Sequence, residues 1–217
     1  ILYKVKGIRS WAEIDLAKLE RNIKLIRESI PPNFKYISVV KADAYGHGIL
    51  PTASRLMQSG VDLFAVANVK EASEIREMGS GWPILVLGPL LQEEDDALID
   101  LDLIPSLSSA EEVDRFQALS QRKQAEIKIH LKVDTGMGRM GVWWERVPEL
   151  LDRINQCPEL KLSGILTHFA EPANEDFSRL QRERFEKIIL ENLPHPFPSD
   201  FIIHADNSSS LKVLEKD

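Results

Sequence analysis

The sequence predicts an α/β fold, a (β/α)8 TIM-type barrel that stops before its last strand. Three observations carry that expectation. Helical and strand periods alternate through all 217 residues. Short apolar runs, too short for helices, stand before the helical stretches. The first such run is followed by Lys-Ala-Asp-Ala-Tyr-Gly-His-Gly (41–48). An open doubly wound sheet would carry a G-x-G-x-x-G loop there. Alternating strands and helices imply a parallel sheet covered by helices, and the missing nucleotide loop favours the barrel.

The elements follow in order. Ser10 to Asp15 alternates like a strand but precedes the first helix, so it is expected in a separate sheet. Leu16, Leu19, Ile23, Ile26 and Ile30 repeat at helical spacing, and Pro31-Pro32 stops that helix. Tyr36–Val40 reads as the first buried strand, Leu63–Ala67 as the second and Pro83–Leu87 as the third. Helices are expected over Ile49–Gln58, Val69–Met78 and Gln92–Asp100. Ile104–Leu107 is the fourth strand, and Ser109 is placed to cap a helix over Ala110–Arg122. Ile127–Val133 is the fifth strand and Ser163–His168 the sixth, with a helix over Glu145–Gln156 between them. A long amphipathic helix, Phe177–Asn192, ends before Pro194, Pro196 and Pro198. Phe201–His204 is the seventh strand, and Ser208–Leu214 begins another helix.

Composition bounds the function classes. Hydrophobic content of 43% and charge of 28% describe an ordinary globular chain. The net charge of -7 argues against nucleic acid or an anionic membrane as the main partner. No apolar run approaches the length of a membrane span. A single cysteine, Cys157, forms no internal disulfide and fits a reducing, cytoplasmic setting.

In a parallel α/β fold, chemistry gathers at the C-terminal ends of the strands. There the sequence places Lys41 and Tyr45, Leu87, Lys132, Asp134-Thr135-Gly136-Met137-Gly138-Arg139, His168, and His204 through Ser208. Asp134–Gly138 also suits a tight turn, and Asn207-Ser208 a helix N-cap, whose amides would suit a phosphate. Pyridoxal phosphate (PLP) needs a lysine amine, a phosphate cradle and groups that tune its ring, and this set offers all three. No metal is expected, because His47, His168 and His204 lack metal-ligand spacing. No G-x-S-x-G elbow points to a serine hydrolase.

Val-Val-Lys-Ala-Asp-Ala-Tyr-Gly-His-Gly (39–48) closely resembles the PLP-lysine signature of bacterial alanine racemases. His-Leu-Lys-Val-Asp-Thr-Gly-Met-Gly-Arg-Met-Gly (130–141) resembles their second signature. Trp-Ala-Glu-Ile-Asp-Leu (11–16), Thr-His-Phe-Ala (167–170) and Asn207-Ser208 fall in the expected order. The resemblance implies that Lys41 carries PLP and serves as one catalytic base. It implies cofactor contacts from Tyr45, Leu87, Arg139, His168, Asn207 and Ser208, and a possible carbamylation of Lys132. The implied reaction is interconversion of L- and D-alanine, supplying D-alanine for peptidoglycan, in a homodimer whose partner lends the second base. That base belongs to a C-terminal β domain absent from these residues. Residues 1–15 are expected to pair with that domain, and 16–217 to form the incomplete barrel, inactive alone. Two departures, Glu171-Pro172-Ala173-Asn174 and Ser209, leave open a racemase for serine or a broader set of amino acids. A non-catalytic PLP-binding barrel is the alternative from another class.

Overall fold

A computed structural model gives the fold of residues 10–205. Asn207, Ser208 and the helix expected over 208–214 lie outside the described residues. The strands are β1 (Ile37–Val39), β2 (Leu63–Val66), β3 (Ile84–Val86), β4 (Leu103–Leu107), β5 (Ile127–Asp134), β6 (Val142–Trp143), β7 (Leu160–Leu166) and β8 (Ile202–His204). They pair in parallel in the order β1-β2-β3-β4-β5-β7-β8, with the two-residue β6 beside β5. The result is an open, curled barrel whose edge strands among the described residues are β1 and β8.

Before β1 runs α1 (Leu16–Ser29). The crossovers hold α2 (Lys41–Gly46), α3 (Ile49–Gln58), α4 (Val69–Glu77), α5 (Asp95–Asp100), α6 (Ala110–Lys123), α7 (Val147–Asn155) and α8 (Glu175–Asn192). Side chains cap several of their starts. Asp15 accepts from Ala17 N and Lys18 N, both at 3.0 Å. Asn68 caps α4, Asn174 caps α8, and Ser109 with Glu112 forms a capping box on α6. Each such cap satisfies amides that the first turn leaves unpaired.

The period of two along each strand separates two environments. Phe64 and Val66 of β2, Ile84 and Val86 of β3, and Ile127, Ile129, Leu131 and Val133 of β5 join the large core under the helices. The alternate residues Leu63, Ala65, Leu85 and Ile104 form a smaller cluster inside the barrel, with Leu87 and Ile202 against it. Burying each large side chain of this kind contributes about 1.5–3 kcal/mol. In β5 the same parity places His130 and Lys132 on the interior side, opposite the residues of the helix-covered core.

Boundaries differ where tertiary pairing decides them. The sixth expected strand begins earlier, at Leu160, because Leu160, Lys161 and Leu162 register with Ile127, Lys128 and Ile129. The helix expected over Gln92–Asp100 divides into a 3-10 turn (Gln92–Glu94) and α5. The helix expected from Glu145 opens as a 3-10 turn, Trp144–Arg146, before α7. Residues 10–15 join no strand, and Trp11 there is 74% exposed. The separate sheet expected for them has no partner among the described residues.

Candidate functional site

Among the described residues, the turn after β1 has the longest run of positive-φ non-glycine backbone. Ala42, Asp43, Ala44 and Tyr45 all have φ of 52–55°, so α2 is a left-handed turn. Non-glycine residues pay about 1–2 kcal/mol each for that conformation. A dense set of bonds holds it. Ala44 N donates to Val40 O (2.8 Å) and Gly48 N to Asp43 O (3.0 Å). The Asp43 carboxylate accepts from Ile49 N (2.7 Å) at the start of α3. A carboxylate from α4 takes the other side: Glu71 accepts from Ala42 N (2.7 Å) and from Ala67 N (2.8 Å). Lys41, half-buried, stands immediately before the left-handed residues.

The second part of the site comes from β5 and the loop after it. Lys132 is buried, 6% exposed. No carboxylate among the described residues lies within ion-pair distance of its ammonium. Burial, then the charges of Arg139 and Lys41, push its pKa down to about 8, against an opposing pull from Asp134. The following loop is pinned by Asp134, whose carboxylate accepts from Gly136 N and Gly138 N. The chain then returns so closely that a Cβ on Gly141 (φ +122°) would meet Asp134 N at 2.7 Å. Arg139, within that loop, lines one cavity with Lys132. That cavity, of about 230 Å³, is also lined by Leu87, Ser106 and Glu112 among others. Glu112 is already engaged, accepting from Ser108 N, Ser109 N and Ser108 Oγ.

The third part is the end of β7. His168 is half-buried, and its pKa is lowered by burial and then by Arg139, Lys132 and Lys41. The pKa of Lys132 in β5 and that of His168 after β7 are thus both lowered by burial and then by the charges of Arg139 and Lys41. Behind them α8 supplies a buried amide clamp. Gln181, wholly buried, donates from Nε2 to Thr135 Oγ1 and His168 O (3.1 Å each) and accepts from Ala170 N (2.9 Å). Thr135 Oγ1 and Thr167 Oγ1 lie 2.8 Å apart, and Arg184 Nη1 donates to Thr135 O (2.7 Å).

Of the residues expected from sequence, Lys132, Arg139 and Leu87 line one cavity, whereas Lys41 and His168 do not line it and are linked to it only through charge, which adds to burial in lowering the pKa of Lys132 and of His168. Tyr45 sits in the left-handed turn, 59% exposed, and is not among the residues lining that cavity. Asn207 and Ser208 lie outside the described residues. Sequence reading missed Glu71, although Asn68-x-x-Glu71 has capping-box spacing. It missed Gln181, which has no local signal. It also missed His130, whose Nδ1 lies 3.0 Å from His204 Nε2. The signal was the alternation His130-x-Lys132-x-Asp134 inside an otherwise aliphatic strand. Burial pushes the pKa of His130 down to about 4, and burial with the neighbouring charges pushes that of His204 to about 3. Gly164 makes room for this pair, since a Cβ there would meet the His130 ring at 2.7 Å.

The donor set fits a small anionic ring. A buried ammonium without a carboxylate partner, an arginine on the same cavity and a lysine at the adjoining turn suit a phosphorylated aldehyde such as PLP. Among the described residues no cluster of His, Cys, Asp and Glu could hold a metal ion. No helix there is long and apolar enough to cross a membrane.

Comparison with known proteins identifies the family. The family model described as alanine racemase, N-terminal domain, matches residues 14–215. An alanine racemase of Halothermothrix orenii is 37% identical over 211 residues, covering 95% of this chain and 55% of the relative. One of Geobacter sp. strain M21 is 39% identical over 206 residues, covering 92% and 54%. Among solved structures, alanine racemase of Clostridium difficile 630 superimposes with a TM-score of 0.85 at 28% identity, covering 94% of this chain and 57% of that one. The enzyme from Bacillus anthracis with bound L-Ala-P gives 0.81 at 28% identity, covering 91% and 52%. The chain spans about half the length of the curated relatives it matches.

Proposed function

We propose that this chain, which belongs to the alanine racemase N-terminal-domain family, is the cofactor-bearing half of a PLP-dependent racemase that interconverts L- and D-alanine. The observation that carries the reading is the cavity lined by Lys132, Arg139 and Leu87, with the charge of Lys41 near enough to help burial lower the pKa of Lys132. PLP, when bound, supplies the electron sink that makes an amino acid's α-proton removable.

The chain's own residues do the rest. Lys41 Nζ attaches the cofactor and takes or returns the α-proton on one face. Arg139 would hold the ring through its guanidinium, and Leu87 lines the wall of the same cavity. Tyr45 would help hold the phosphate end, a role the family resemblance also gives to Asn207 and Ser208, which lie outside the described residues. His168 bears on the ring from the end of β7. Lys132, whose pKa burial and like charge lower to about 8, offers more free amine than an ordinary lysine to react with carbon dioxide. Its amine would lose a proton and gain a carboxylate, which would pair with Arg139. Inversion needs a base on the opposite face as well. We assign that base to a homodimer partner, through chain beyond these 217 residues, and D-alanine for peptidoglycan to the product.

Incubation with PLP, borohydride trapping and peptide mapping tests the assignment. Label on Lys41 is expected; label on another lysine overturns it. The 217 residues alone are expected to take the label without racemising alanine, and native-like turnover by them would defeat the second-base part.

A further inference from the structure

Glu71 occupies the third position of α4, where a capping-box glutamate turns back to the amide of its own cap. Here the cap is made without it, since Asn68 Oδ1 accepts from Glu71 N at 3.0 Å. The carboxylate reaches further. One oxygen takes Ala67 N, just past β2, and the other takes Ala42 N, just past Lys41. An ionised carboxylate has only acceptors to offer, and each of its oxygens meets one of these donors. The Ala67 bond fixes the carboxylate to the sheet. The Ala42 bond then fixes the peptide plane between Lys41 and Ala42, which leads into four consecutive left-handed residues.

We propose that Glu71 is the positioning residue for Lys41: by holding the Ala42 amide it sets the orientation in which Lys41 presents its amine. This rests on the reading that Lys41 attaches PLP. Covalent attachment requires the amine nitrogen at one place relative to a bound aldehyde. A rotating 41–42 peptide would disperse the Lys41 side chain over other directions. Glu71 itself touches no reacting atom.

The test compares two variants. Glu71→Gln keeps the shape but has one acceptor oxygen and an NH2, so it can serve Ala67 N or Ala42 N, not both. Asn68→Ala removes the helix cap and keeps both carboxylate oxygens. The measurements are the rate of borohydride-trapped pyridoxyl incorporation at Lys41, the hydrogen exchange of the Ala42 amide, and the thermal midpoint. E71Q is expected to slow trapping by about tenfold and to speed Ala42 exchange by a similar factor. N68A is expected to trap at the wild-type rate below its midpoint. Wild-type trapping by E71Q overturns the proposal, and so does an equal slowing by N68A, which would assign the effect to helix stability. Wild-type Ala42 exchanging as fast as a free amide also overturns it, without recourse to any variant. Wild-type label away from Lys41 would instead defeat the cofactor assignment, while the exchange comparison would still decide whether Glu71 holds the turn.

Discussion

Lys41 and Lys132 share an electrostatic neighbourhood, yet they are held by opposite means. Lys41 stands before a mostly exposed left-handed turn, a costly backbone maintained by carboxylates from Asp43 and Glu71. Lys132 lies in the regular extended backbone of β5, with its ammonium buried and a neutral amide clamp from α8 behind it. One region places its strain in the main chain and leaves its side chain accessible. The other keeps an ordinary main chain and places its cost in a desolvated charge. The difference suits the proposed roles, because an attaching amine must exchange partners while a neighbour that tunes the site must not move.

The clamp offers the largest break in that comparison. Gln181→Leu removes three side-chain hydrogen bonds and takes this partner from the Ala170 amide and the His168 carbonyl, while Thr135 Oγ1 keeps Thr167 Oγ1. A loss of about 3–5 kcal/mol is expected in chemical unfolding. A loss under about 1 kcal/mol would show that the β5 and β7 ends hold together without α8.

Lys132→Met probes the buried charge. A fall from 10.5 to about 8 in the folded state corresponds to about 3 kcal/mol. The sign follows from linkage. Between pH 8 and 10.5 the unfolded chain binds more protons than the folded one, so wild-type stability rises with pH across that window. Below pH 8 the penalty is fully present. Lys132→Met should therefore be the more stable protein at pH 7, by up to about 3 kcal/mol, and lose that advantage by pH 10.5. Unfolding curves at the two pH values check this. A less stable variant at pH 7 would mean that the ammonium is compensated.

The smallest effect belongs to the turn. Ala42→Gly relieves an alanine held at φ 54°, offset in part by glycine's greater unfolded-state freedom. A gain of about 1 kcal/mol in unfolding free energy is expected. A loss would show that the left-handed turn is not under backbone strain.

Much of this was legible along the chain. The periods of two and 3.6 placed every main strand and most helices, because each element has one face that must be buried. Ser109 reads as a cap from sequence; Asp15, Asn68 and Asn174 show themselves as caps only in the fold, where α8 begins at Glu175 and not at the expected Phe177. The lysine motif and the Asp-Thr-Gly-Met-Gly-Arg stretch marked the site. The left-handed turn was not legible, since Ala42, Asp43 and Ala44 carry no propensity for it. Gln181 was silent for a similar reason. A glutamine midway along an amphipathic helix looks like any other polar residue until the fold buries it against His168 and Thr135.

The sequence by itself determined the alternating architecture and the cap at Ser109, which depend on near neighbours or on period, and its resemblance to a family nominated the candidate site residues. Only the tertiary structure decided which of those residues share a charge environment, and how Glu71 reaches the Ala42 amide. It also decided that the depressed pKa falls on Lys132. Those properties depend on burial and on distances between crossovers, and both arise when the sheet curls and brings the ends of β1, β5 and β7 together.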